Sequence, residues 1–220
     1  MQTALTGRQK ILQRTAYYNP VGSFQMSVPT GAVTIIAAGT ASAGHLFYFR
    51  WDSATLNAYV HYIGAKFILT TAYTTAQETA VDLYLCSAFT VDGTDGTAVD
   101  AGSTVTGTGK LRKTFAKSVI GAGDVRVATA AAITDGTSTE HINRFSSLSG
   151  FMGTVGDTIP RSTAGVGDGY GTLYSSRDND GIPLVFGEDE GFIIKNGPVM
   201  GAVGVGKWDF KVIWDEGTDA

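Results

Sequence analysis

A chain of 220 residues, 43 % of them hydrophobic, is long enough to bury a core of its own. Only 16 % of the residues are charged, against about 25 % in ordinary soluble domains, and the formal net charge is −4. That balance excludes a dedicated nucleic-acid binder, which needs a basic face, and the single cysteine, Cys86, excludes an internal disulfide framework.

The first twenty residues differ from the rest. Leu5, Ile11 and Leu12 are scattered among Arg8, Lys10 and Arg14, and Asn19-Pro20 stops the pattern. The segment reads as a basic N-terminal arm over residues 1–20, followed by a single domain over residues 21–220. No apolar stretch of roughly 7–15 residues follows the basic positions, so no standard secretory export is expected. No run approaches the roughly 18 apolar residues of a membrane helix, so no membrane partner is expected.

From residue 21 onward the pattern is one of strands and turns. Phe24, Met26 and Val28 alternate, Val33–Ala38 is a short apolar run, and His45–Trp51 sets Leu46, Tyr48 and Arg50 against Phe47, Phe49 and Trp51. The long stretch Asn57–Thr71 places Tyr59, His61, Ile63, Ala65, Phe67 and Leu69 on one face, with a bulge expected at Gly64. Val81, Leu83 and Leu85 alternate with Asp82, Tyr84 and Cys86, where Cys86 is read as a buried, inert thiol. Asp92-Gly93 and Asp95-Gly96 are turn dipeptides leading into a glycine–threonine loop.

Leu111, Phe115 and Val119, spaced by four, predict a short helix over Lys110–Ile120. Asp124–Ile133 reads as a strand, and residues 146–181 as a long glycine-rich loop region with a role in partner contacts. Toward the C-terminus, Leu184–Phe186 and Phe192–Asn196 flank the acidic turn Glu188-Asp189-Glu190. In Lys207–Asp215, Trp208, Phe210, Val212 and Trp214 face one way; Ile193 and Ile213 break alternation, as happens in a strand covered on both sides. About eight strands without a βαβ rhythm predict an all-β fold: an antiparallel β-sandwich of jelly-roll type with one short helix and the N-terminal arm.

Motifs with chemistry are scarce. His45, His61 and His141 lack metal-ligand spacing, and His45 and His61 fall on different strands that meet only through the fold. Gly201–Lys207 matches seven positions of a phosphate-binding loop, but Trp208 stands where a magnesium-holding hydroxyl belongs, and a strand pattern follows. Asp92, Asp95 and Asp100 lack the glutamate that closes a helix–loop–helix calcium site, and Asp178 and Asp180 stand apart. Ser147-Leu148-Ser149-Gly150 lacks the first glycine of a nucleophile elbow. The expectation is a protein that is not an enzyme and takes no cofactor or metal.

Two stretches carry a resemblance. One runs Leu111-Arg112-Lys113-Thr114, then Asp124-Val125-Arg126-Val127-Ala128-Thr129-Ala130-Ala131, then Asp135-Gly136-Thr137; the other has Pro183-Leu184-Val185, Glu190–Asn196 and Val212-Ile213-Trp214-Asp215-Glu216. Together they resemble uncharacterised virion structural proteins of phages, of the capsid decoration or auxiliary head type. The resemblance implies a virion location after assembly in the host cytoplasm. It implies partners among the major capsid protein or other virion proteins, and a homo-oligomer, with a trimer expected from shell geometry. Low charge suits a protein packed against many neighbours. Arg8, Lys10, Arg14, Tyr17, Tyr18, Tyr170 and Tyr174 are the candidate assembly contacts. The same tyrosines lining an open groove would instead indicate a carbohydrate-binding module. Another virion part, such as a jelly-roll capsid, tail or fibre-base component, is the remaining alternative.

Overall fold

The computed structural model describes residues 18–31, 33–34, 45–99, 108–110, 117–121, 123–129, 133–134, 136–160, 169–197 and 204–219. The strands are β1 (Tyr18–Pro29), β2 (Val33–Thr34), β3 (His45–Trp51), β4 (Asn57–Thr71), β5 (Gln77–Ser87), β6 (Thr97–Ala98), β7 (Thr108–Lys110) and β8 (Val125–Val127). They continue with β9 (Thr139–Glu140), β10 (Ser146–Met152), β11 (Thr158–Ile159), β12 (Gly171–Ser175), β13 (Leu184–Phe186), β14 (Glu190–Asn196) and β15 (Val205–Asp219). A single turn of 3-10 helix, Ser176–Asp178, is the only helical element among the described residues.

One sheet runs β11-β4-β15-β1-β7, with β12 and β13 also along β4 and β2 along β15; the other runs β10-β5-β14-β3-β8-β6, with β9 along β5. The long strands pair antiparallel in a nested order. β1 lies against β15, β3 against β14, β4 against β12 and β13, and β5 against β10. Early strands therefore meet late ones, and the chain closes on itself as a folded-over hairpin. The result is a two-sheet, antiparallel β-sandwich.

The alternation in β15 produces the core. Trp208, Phe210, Val212 and Trp214 are fully buried on its inner face. Phe47 of β3 meets Phe210 at 5.3 Å between ring centroids, and Phe49 meets Trp214 edge-on at 6.0 Å, so aromatic rings tie the facing sheets together. The opposite face of β3 is also buried: Tyr48 packs edge-on against Phe89 at 5.0 Å, and its hydroxyl accepts the Gly93 N–H. Ile193 is fully buried as well, as expected for a strand covered on both sides.

At one side of the sandwich the β10 edge of one sheet meets the β11–β12 edge of the other. Glycines allow the close approach there: a Cβ on Gly171 would lie 2.6 Å from the Leu148 side chain, and one on Gly150 would lie 2.9 Å from Ile159. Ser146 Oγ donates to the Leu173 carbonyl across the same corner at 2.6 Å.

Four sequence expectations need correction. Against β15 the register of β4 skips His61 and, near its end, Thr70, rather than Gly64: Ile213 pairs with Tyr62 while Trp214 pairs with Val60, and Val205 pairs with Thr71 while Gly206 pairs with Leu69. The extra residue changes the phase, so Ala58 and Val60, not Tyr59 and His61, share the inner face with Ile63, Ala65, Phe67 and Leu69. The helix expected over Lys110–Ile120 is absent at its described ends: Lys110 closes β7, and residues 117–121 are irregular. There the Glu216 carboxylate captures the Ser118 hydroxyl and the Val119 N–H, which a helix would need elsewhere. The region 146–181 is not one long loop, since β10, β11 and β12 lie within it. Small residues weakened the apolar pattern that would have announced them. Finally, β1 begins at Tyr18, so residues 18–20 belong to the first sheet.

Candidate functional site

The most organised polar constellation outside the core is at the His61 bulge. The β4 ladder is interrupted here: Ser175 of β12 pairs with Tyr62, Leu184 of β13 pairs with Val60, and the chain between them leaves the sheet through the 3-10 turn. The bulge aims the imidazole into that gap. His61 Nε2 lies 3.1 Å from Asp215 Oδ2 on β15, and Nδ1 lies 3.3 Å from Ser176 Oγ. A carboxylate only accepts, so Nε2 carries a proton; in the neutral ring Nδ1 then accepts from the Ser176 hydroxyl. Chemically this is a hydroxyl, a base and an orienting carboxylate in sequence, and it is half-buried rather than sealed, with side-chain exposures of 28 % for His61 and 17 % for Asp215.

A second polar group lies farther along β15. Tyr170 donates its hydroxyl to Asp209 Oδ2 at 2.6 Å and sits 2.6 Å from Ser27 Oγ, while Ser27 also donates to Asp209 Oδ1 at 3.0 Å. Lys211 Nζ stands 5.7 Å from the Tyr170 ring centroid. Tyr170 therefore bridges β1 and β15.

The strongest electrostatics lie at one end of the sandwich, around Arg50. Its guanidinium donates to Asp92 at 2.6 Å and to Asp189 at 2.9 Å, and stands 3.6 Å from Asp124 and 3.8 Å from Asp52. Burial works against the charge, but the hydrogen bonds to Asp189 and Asp92 hold this arginine more firmly protonated than usual. Asp124 is pushed up to about 6, first by burial and then by Asp52 and Asp92, against the Gly121 N–H and Arg50. One cation thus gathers four aspartates from separate loops. Glu216 is also pushed up by burial, opposed by hydrogen bonds from Ser118, Val119 and the Trp214 Nε1–H. Among the described residues, no group of three or more histidine, cysteine, aspartate or glutamate side chains is arranged to hold a metal ion.

The sequence-derived contact residues are dispersed. Arg8, Lys10, Arg14 and Tyr17 lie outside the described residues, and Tyr18 is placed only through its backbone in β1. Tyr170 is engaged as above. Tyr174 is 5 % exposed, donates its hydroxyl to the Ile182 carbonyl, and packs at 5.9 Å from Phe145. Of the calcium candidates, Asp92 belongs to the Arg50 cluster, Asp95 accepts from Thr134 at 2.6 Å, and Asp100 lies outside the described residues. Sequence reading singled out His61 but missed Ser176 and Asp215 as its partners. It also missed Arg50 as the centre of an acidic cluster; an arginine in an aromatic strand facing Asp-rich turns was the available signal. Comparison of the chain with protein-family models, with curated proteins and with solved structures finds no match in any of the three.

Proposed function

We propose that the chain is a non-enzymatic structural protein of a phage particle, a capsid decoration or cement protein that stabilises the shell through protein–protein contacts. The observation that carries this reading is the nested pairing of β1 with β15, β3 with β14, β4 with β12 and β13, and β5 with β10. We read that order as a jelly roll, an architecture shared by viral capsid and lectin domains. The resemblance of residues 110–148 and 183–216 to phage virion proteins and the charge content of 16 % support the same conclusion. In this role the rigid sandwich supplies the body, and the basic arm with Arg8, Lys10 and Arg14 supplies contacts to the shell. Each contact buries roughly 800 Å² per partner, and repetition across a particle adds avidity. The test is co-sedimentation of the purified protein with particles that lack it. Uptake at a fixed ratio to the major capsid protein is expected, and a protein that stays in the supernatant at every concentration refutes the role.

A second reading, acyl transfer with Ser176 as nucleophile, is favoured by the Ser176–His61–Asp215 geometry. The two imidazole nitrogens exchange the roles they hold in serine proteases, with Nδ1 rather than Nε2 facing the serine. Covalent labelling of Ser176 by a fluorophosphonate, lost in His61→Ala, would establish it. Absence of labelling removes it.

A further inference from the structure

The β10 edge combines three properties that protected edge strands avoid. Among the described residues it pairs only with β5, so every second N–H and C=O on its other side lacks a ladder partner. From Phe145 to Met152 the segment contains no charged residue and no proline, the usual guards against edge pairing. Its pairing to β5 runs in continuous register, without a bulge to twist the edge away. Phe151 is 62 % exposed, Phe145 is 45 % exposed immediately before the strand, and Ile142 nearby is 97 % exposed.

The segment is also self-complementary. Reversed about Leu148, Phe145-Ser146-Ser147-Leu148-Ser149-Gly150-Phe151 maps onto itself with one difference, Ser146 against Gly150. An antiparallel two-fold operation centred on Leu148 sets Phe145 opposite Phe151 of the partner subunit and Ser147 opposite Ser149 of the partner subunit. The centre then holds Leu148 flanked by the small residues Ser147 and Ser149, while Phe145 precedes the strand and keeps its ring 5.9 Å from Tyr174 of β12. A two-fold contact requires one patch to complement itself, and few strand sequences do.

We infer that β10 is a homodimer contact, in which two copies of this chain pair β10 to β10 around Leu148 and join their seven-stranded sheets into one continuous sheet. The occupant of the edge is a second copy because the near-palindrome runs through Leu148, so that this one uncharged edge complements itself, with Phe151 exposed at its end. This contact goes beyond the proposed shell role and does not depend on it. A protein that dimerises but ignores particles upholds the contact and removes the role.

The test is sedimentation equilibrium of the full chain, whose single-copy mass is 23.0 kDa. A mass of twice that value is expected at micromolar concentration. Phe151→Lys places a lysine opposite Glu78, a favourable pairing within the fold, while setting a charge in the dimer contact. It should raise the dissociation constant by about thirtyfold or more, the effect of removing an interface hot spot. Register is tested by oxidising Ser147→Cys protein mixed with Ser149→Cys protein. The mixture should form a disulfide-linked dimer and neither variant alone should, because residues directly opposite lie within the roughly 7 Å that a disulfide spans and diagonal ones do not. A wild-type protein of 23.0 kDa at all concentrations overturns the inference. So does an oligomer that Phe151→Lys leaves intact and that fails to cross-link in the mixture.

Discussion

Replacing Asp124 by asparagine removes a buried charge while keeping the shape and the acceptor for the Gly121 N–H at 2.6 Å. The Asp124 side chain is 4 % exposed, so little solvent screening applies. Burial moves its carboxyl from 3.8 to about 6. At about 1.36 kcal/mol per tenfold change in proton affinity, the ionised form costs the native state about 3 kcal/mol relative to the unfolded chain. The folded-state value lies above the unfolded one, so the native protein holds this proton more tightly. The stabilisation is complete below 3.8 and is lost as pH rises through about 6. Wild-type and Asp124→Asn proteins should therefore differ little near pH 3.5, and the variant should gain stability on the wild type across that interval. The gain should reach up to about 3 kcal/mol at pH 8. The attraction of Arg50, 3.6 Å away, is already contained in the net shift, and in the variant Arg50 keeps its bonds to Asp92 and Asp189. Urea unfolding at closely spaced pH values measures the difference directly. A gap between the two proteins that stays constant from pH 4 to pH 7, or a variant weaker than wild type at pH 8, would refute the assignment of the strain to Asp124 ionisation.

Other substitutions probe the frame around the site. Glu216→Leu leaves the Ser118 hydroxyl, the Val119 N–H and the Trp214 Nε1–H without their acceptor, and thermal unfolding should show a loss of at least about 3 kcal/mol at about 1 kcal/mol or more per donor. Ala88 is exposed with φ of 55°, a left-handed conformation that costs a side chain about 1–2 kcal/mol. Ala88→Gly should raise stability by about 0.5–1 kcal/mol after the entropy cost of glycine, a shift visible in the urea midpoint. Phe210→Ala opens a cavity between Phe47 and Trp208, and chemical denaturation should register a loss of about 3–5 kcal/mol.

Strand identity was readable wherever one face of a strand is buried and the other is wet. Trp208, Phe210, Val212 and Trp214 announce β15 because a period of two has no other explanation, whereas β3, buried on both faces, is announced by the aromatic run His45–Trp51. Composition and turn chemistry likewise implied an all-β chain. Three things depended on contacts distant in sequence. The bulge at His61 depends on how β4 meets both β15 and the broken pair of β12 and β13, and glycine spacing pointed instead to Gly64. The stretch from Lys110 carries a helical spacing, but a carboxylate on β15, 98 residues beyond Ser118, competes for its donors. β10 and β12 are diluted by serine, threonine and glycine and β11 is only two residues long, so their strand character comes from pairing with β5 and β4 rather than from a readable apolar pattern. The polar constellations follow the same division. A sequence shows that histidine, serine and aspartate exist, but Ser176, His61 and Asp215 are 115 and 154 residues apart in pairing, and only the closing of the sandwich brings them within hydrogen-bond reach. Local pattern is set by a residue's own few neighbours, whereas a site is set by where the nested hairpin folds back on itself.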